Sequence, residues 1–160
     1  MLKALKKLFF DPHFQKRKNF LRSLPIFKDL RDRELGHLAQ ALHGRTYHAG
    51  EPLFLEGDIG RALFILETGK VELSKVTDEG KTVTIYSAQP GDFFGEMALL
   101  EQLPRTATAT AMERSHLYLL YRSKLDGLMT SHPRIGASIM AHLARMLSAR
   151  LRRQTAKQTA

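Results

Sequence analysis

The 160 residues leave room for about one domain, and 43% hydrophobic with 26% charged residues is the balance of a globular chain rather than a disordered tail. The absence of cysteine excludes disulfide scaffolds, Cys-ligated zinc and thiol nucleophiles together, and no apolar run approaches the ~20 residues that cross a bilayer. The net charge of +9 sits at the ends: residues 1–33 hold 10 Lys/Arg against 3 Asp/Glu, residues 34–133 hold 9 against 13, and residues 134–160 hold 6 against none, which is not the footprint of a domain gripping a nucleic-acid duplex across one broad face.

Met1 to Phe10 places Leu2, Leu5, Leu8 and Phe9 at helical spacing with Lys3, Lys6 and Lys7 between them, a short basic amphipathic helix. Two readings of it stand: an arm packed on its own domain or a partner subunit, or an interfacial helix giving peripheral membrane contact through residues 1–18. The interspersed lysines also break up any secretory signal, so a soluble, cytoplasmic protein is expected. Pro12 ends this helix, and Lys16-Arg17-Lys18 lies in a second short helix or linker. From Asp29 to Leu42, Leu35, Leu38, Ala39 and Leu42 recur at i, i+3, i+4 and i+7, predicting an amphipathic helix capped by Asp29 or Asp32.

Beyond it the period changes to two. Glycines separate short apolar stretches at Leu53–Leu55, Ala62–Glu67, Val71–Lys75, Thr82–Ser87 and Leu117–Tyr121, the spacing of a small antiparallel barrel or jelly roll. Asp58-Ile59-Gly60 and Asp78-Glu79-Gly80 read as hairpin turns. Helical periodicity returns over Ser123–Thr130, and from Pro133 onward Ile135, Ile139, Leu143, Leu147 and Leu151 recur every fourth residue. The expected architecture is α+β, an antiparallel β-barrel or jelly roll of about eight strands flanked by N-terminal helices and a C-terminal helix pair. Its parts are an arm at 1–23, a domain at 24–153 with the barrel at about 44–121 and its last helices at about 122–153, and a tail at 154–160.

The stretch from Phe93 to Thr108 interrupts the barrel pattern with a helical turn. Gly95 allows close approach of the backbone, and the amides after it, at the start of a short helix, suit an anion. Nine residues after Glu96, Arg105 offers a fixed charge in a fork that matches two phosphate oxygens. A carboxylate does not help with phosphate, so Glu96 suits a sugar hydroxyl, and phosphate plus ribose implies a nucleotide.

Phe94-Gly95-Glu96-Met97-Ala98-Leu99, then Pro104-Arg105 and the run Thr106-Ala107-Thr108, closely resembles the phosphate-binding cassette of cyclic nucleotide-binding domains. The resemblance covers about residues 24–150, including Gly50-Glu51, Glu56-Gly57-Asp58, Phe64-Ile65 before Gly69, and Pro90-Gly91-Asp92. It implies that Glu96 accepts from the ribose 2′-hydroxyl, that Arg105 and the amides near Gly95, Met97 and Ala98 hold the cyclic phosphate, and that Ala107 adds a backbone donor. Gln102-Leu103 departs from the pattern, standing where the family often has a small residue or Gly. For the base, the resemblance points to Leu73, Tyr86, Ala88 and Thr106, and to Arg145 and Met146 on a C-terminal helix that acts as a lid. It implies cAMP as ligand, with cGMP the alternative.

Gly80-Lys81-Thr82 is no phosphate loop, because the first Gly of that motif would fall on Lys75. The seven histidines lack metal-ligand spacing, no nucleophile–base pair assembles from local spacing, and neither a metal, a cofactor nor an enzyme is expected. Arg152-Arg153-Gln154-Thr155 has the shape of a basophilic kinase site. Three functions follow. The first is a cyclic nucleotide-binding sensor that signals to an effector protein by moving its C-terminal helix, with a homodimer through that helix as an option. The second is a scaffold or membrane-surface protein acting through the basic arm. The third is a truncated regulator of the catabolite activator type, which would need about 60 further residues carrying a helix-turn-helix, so direct DNA binding is not expected.

Overall fold

The computed structural model describes residues 11–158, so the basic segment Met1–Phe10 lies outside the described residues. The described residues fall into two compact units, one built from the chain up to Gln40 together with Leu125 onward, the other from Ala41–Lys124.

In the helical unit, α1 spans Pro12–Ser23. Asp11 caps it by accepting from the His13 amide at 2.9 Å, and Pro12 occupies the first position, where its missing N–H costs nothing. Pro12 therefore opens a helix as well as closing the segment before it. The buried face of α1 is Phe14, Lys18 and Leu21, which makes residues 12–23 part of the unit rather than a free arm. Lys18 donates to Asp32 at 2.5 Å, Arg22 pairs with the other oxygen of the same carboxylate, and Arg17 donates to the Ala39 carbonyl. Two members of the basic run are thus engaged by their own fold instead of standing ready for a membrane.

A single 3-10 turn at Pro25–Phe27 leads to α2, Asp32–Ala41, with Leu35, Leu38 and Ala39 buried. The helix is shorter than its apolar periodicity suggests, and neither Asp29 nor Asp32 supplies the capping bond. Glu34 does, reaching back to accept from the Arg31 amide at 2.8 Å. After the barrel come α4, Arg122–Ser131, and α5, Pro133–Gln158, whose buried residues are Ile135, Gly136, Ile139 and Leu143. Helix α5 runs on through residues 154–158, which the sequence pattern leaves as a tail. Arg134 ties its first turn to Glu34 at 3.4 Å and to the Asp29 carbonyl at 3.0 Å.

The barrel unit has eight strands: β1 His43–Tyr47, β2 Pro52–Phe54, β3 Ala62–Thr68, β4 Val71–Val76, β5 Thr82–Ala88, β6 Phe93–Phe94, β7 Thr108–Ala111 and β8 Ser115–Tyr121. They form two four-stranded antiparallel sheets, ordered β1-β8-β3-β6 and β2-β7-β4-β5. Between them lies one core in which Tyr47, Phe64, Phe94 and Leu117 of the first sheet meet Val71, Ala88, Ala109 and Ala111 of the second. Residues at alternate positions of a strand share a face, so Ala62, Phe64 and Leu66 all enter this core from β3.

Asp78-Glu79-Gly80 makes the expected β4–β5 hairpin, closed by Gly80 donating to the Thr77 carbonyl at 2.8 Å. Asp58-Ile59-Gly60 does not make one. The strands it joins, β2 and β3, belong to different sheets, and Ile59 instead bridges Pro104. That bridge brings the β2–β3 loop beside Arg105.

Candidate functional site

Strand β6 ends at Phe94, and α3 begins at Glu96 and runs to Glu101. Gly95 between them has φ of 77°, a left-handed conformation that side chains disfavour. A Cβ here would stand 2.7 Å from Arg105 Nη1 and 3.3 Å from the Phe64 ring. The group for which Gly95 makes room is thus the guanidinium of Arg105.

Arg105 is only 7% exposed. Its Nη1 donates to the Gly95 carbonyl at 2.8 Å and its Nη2 to the Ala62 carbonyl at 2.9 Å. The guanidinium carbon lies 4.1 Å from the centre of the Phe54 ring and 5.5 Å from that of Phe64, a cation held against two aromatic faces. Nε is buried with no hydrogen-bond partner. Burial lowers the affinity of this guanidinium for its proton, while the Glu96 and Asp58 carboxylates push the other way. An arginine stays protonated throughout, so the site carries a desolvated positive charge with donor capacity left over.

The backbone fixes that charge in place. Gly57 donates to the Arg105 carbonyl at 2.8 Å, and the Arg105 amide donates to the Asp58 carbonyl at 2.7 Å. Asp58 in turn closes its own loop by accepting from the Leu55 amide at 2.9 Å. Glu96, the first residue of α3, is 1% exposed. Site residues distant in sequence are therefore gathered by β2, β3 and the start of α3 around one cation and one carboxylate. Such an arrangement can hold an anion beside a hydroxyl-bearing group.

Around this centre, Ala107 is buried, and Thr106 and Met97 are exposed, with the Thr106 hydroxyl 4.0 Å from the Met97 sulfur. Ala98 lies in α3. Gln102, just past that helix, has φ of 55°, so the position where the family often has Gly keeps the backbone of a glycine without being one. Leu73 and Tyr86 are paired across β4 and β5, and both pack with Ala88 on the inner core. Tyr86 therefore faces inward, and its hydroxyl donates to Asp92 at 2.7 Å. Arg145 and Met146 lie on α5 in the helical unit, where the Arg145 Nε donates to the Ala141 carbonyl at 3.1 Å.

The sequence pattern does not reveal Phe54, Phe64 and the Ala62 carbonyl as partners of the guanidinium. They lie 41 to 51 residues before it on two other strands, and no local spacing links them to Arg105. Among the described residues no cluster of three or more His, Asp or Glu forms a metal site, and no helix is long and apolar enough to cross a membrane.

Comparisons with known proteins identify the family. The family model of the cyclic nucleotide-binding domain matches residues 44–132. The chain is 34% identical over 127 residues to the cyclic AMP receptor protein of Thermus thermophilus, covering 79% of this chain and 59% of that protein. It is 38% identical over 129 residues to the cAMP-dependent protein kinase regulatory subunit of Yarrowia lipolytica, covering 79% of this chain and 34% of the relative. A solved cyclic nucleotide-binding domain from Methylobacillus flagellatus superposes with a TM-score of 0.78 at 26% identity, covering 89% of this chain and 80% of the other. The chain thus spans less than two thirds of the length of either curated relative.

Proposed function

The chain belongs to the cyclic nucleotide-binding domain family, and we propose that within it this protein is a cAMP-binding regulatory module without catalytic activity. The observation that carries the reading is Arg105, a buried cation whose Nε has no protein partner, set beside the buried Glu96. A cyclic phosphate supplies an acceptor for the Nε that has none, and a ribose 2′-hydroxyl suits the carboxylate. The amides near Gly95, Met97 and Ala98 and that of Ala107 would add donors, and Leu73, Tyr86, Ala88 and Thr106 would line the base. The likeness to a cyclic AMP receptor protein and to cAMP-dependent protein kinase regulatory subunits favours cAMP over cGMP.

Isothermal titration of cAMP and cGMP into the nucleotide-stripped protein and into Arg105→Ala tests this. The expected result is tight binding of cAMP, weaker binding of cGMP, and loss of both in the variant. Silence for both nucleotides in a folded wild type overturns the reading.

The output we propose is a ligand-linked change at α5, passed to an effector protein. The chain has no cysteine, so Met146→Cys carries a single fluorescent label. An emission change on adding cAMP to that protein, absent in its Arg105→Ala version, is expected. An unchanged emission at saturating cAMP overturns α5 as the output.

A further inference from the structure

The segment that joins Glu96 to Arg105 is anchored at two points, and the second has no counterpart in the sequence pattern. At the Arg105 end the anchor is backbone pairing to Gly57 and Asp58, together with the Ile59–Pro104 bridge. At the other end, α3 has six residues, too few to hold itself by its own hydrogen bonds, and its last carbonyls have no intrahelical donor. Arg122 supplies one. Its Nη1 donates to the Leu99 carbonyl at 3.0 Å and approaches that of Leu100 at 3.4 Å. With the Gln102 amide turned to satisfy its neighbours, its oxygen accepts from Arg122 Nη1 at 3.1 Å and Nε at 3.3 Å. The same side chain thus meets the end of the helix and the residue whose left-handed backbone ends it.

Arg122 is itself fixed to the strand that holds Arg105. Its amide donates to the Arg61 carbonyl at 3.0 Å, and the preceding residue, Tyr121, pairs with Ala62, whose carbonyl accepts from Arg105 Nη2. One edge of β3 therefore locates both guanidinium groups: Arg105 directly, and through Arg122 the helix that begins with Glu96. A cation at the helix C-terminus is also favoured by the helix dipole.

We propose that Arg122 is a positioning residue for ligand binding: by holding the end of α3 and the Gln102 turn, it sets the placement of Glu96 relative to Arg105 without touching the ligand. This rests on the reading of Glu96 as the ribose contact and Arg105 as the phosphate contact. A lysine replaces the planar fork by a point charge and recovers only part of the effect.

The test titrates cAMP and its 2′-deoxy analogue into wild type, Arg122→Gln, Arg122→Lys, Glu96→Gln and the Glu96→Gln/Arg122→Gln double variant, with melting of each protein without ligand. Loss of one well-placed set of hydrogen bonds should weaken cAMP binding about 5–20-fold in Arg122→Gln. The 2′-deoxy analogue, which lacks the hydroxyl that Glu96 would hold, should be affected much less. The double variant should bind cAMP little more weakly than Glu96→Gln alone, because the two changes remove the same interaction, and Arg122→Lys should fall between wild type and Arg122→Gln. If Arg122→Gln does not fold, Gln102→Gly withdraws the side-chain acceptor at a backbone position glycine accepts, and should give the same ligand pattern at smaller size.

Equal losses for both ligands, or wild-type affinity in the Arg122 variants beside a wild type that needs Arg105, overturn the positioning role and leave the ligand assignment standing. A folded wild type that binds neither nucleotide overturns both.

Discussion

Lys18 in the helical unit and Arg105 in the barrel are both buried cations, 6% and 7% exposed, and their surroundings differ in kind. Lys18 meets a carboxylate: Asp32 takes its ammonium at 2.5 Å and binds Arg22 with its other oxygen. Arg105 donates to two neutral carbonyls and lies over two aromatic faces, the Glu96 and Asp58 carboxylates act on its charge, and its Nε has no hydrogen-bond partner. A fold that buries charge only for stability pairs it, because an uncompensated ion in the interior is costly. The first cation is bound directly by a carboxylate, whereas the second keeps an unused buried donor, Nε, which is what the proposed ligand role of Arg105 draws on.

The largest effect should come from removing the second. Arg105→Ala takes away a charge-assisted contact of roughly 1.5–3 kcal/mol, so cyclic nucleotide affinity should fall at least ~10-fold by titration calorimetry. Lys18→Met should leave that affinity at the wild-type value, and a variant of Lys18 that loses ligand would break the contrast. Next in size is Gly95→Ala, which adds a Cβ 2.7 Å from Arg105 Nη1 on a backbone with φ of 77°. We expect about 1–3 kcal/mol of lost stability from strain at this position, read by denaturant melting, together with weakened binding as the guanidinium is displaced.

Smaller effects are expected from pH, and they fall on the helical unit. His37 stacks on His132 with ring centres 4.0 Å apart, and its affinity for a proton is lowered by burial first and then by the charges of His132 and Arg33. His142 is lowered by burial and by Arg145. The folded chain therefore resists protons that the unfolded chain takes up below the ordinary value of 6.5, so stability should drop as the pH falls through that value. His37→Gln should flatten the melting temperature between about pH 7.5 and 5.5. Asp32 acts lower: its bond to Lys18 depresses its carboxyl below 3.8, a contribution present above that pH and lost as the acid form returns beneath it. Asp32→Asn should remove that acid-limb loss.

The smallest change is expected for Lys18→Met itself, within about 1 kcal/mol of wild-type stability. Removing one partner of an ion pair is costly when the other is left buried and unpaired, but Asp32 is exposed and keeps Arg22.

Much of the proposed site lies in one contiguous stretch. Gly95, Glu96, Pro104 and Arg105 lie within eleven residues, and their spacing and residue types alone point to a phosphate and a sugar hydroxyl. The strands marked by short stretches of large apolar residues, β2, β3, β4, β5 and β8, are legible for the same reason, β3 and β8 as nearly continuous buried runs. Strands β1, β6 and β7 carry no such stretch at their own length. The Thr108–Ala111 segment, for example, has only small side chains, and its place between β2 and β4 is decided by pairing.

The amino-acid sequence by itself determined the class of fold and the family, and it pointed to the two groups of the proposed nucleotide site, because those signals depend on local spacing and on the chemistry of individual side chains. Only the tertiary structure decided what surrounds them. The Phe54 and Phe64 faces, the Ala62 carbonyl that turns Arg105 inward, the helical role of residues 12–23 and the hold of Arg122 on the end of α3 all join elements distant in the chain. Such contacts form when sheets and helices bury their apolar faces together, and pairing across that distance leaves no periodicity in the sequence to read.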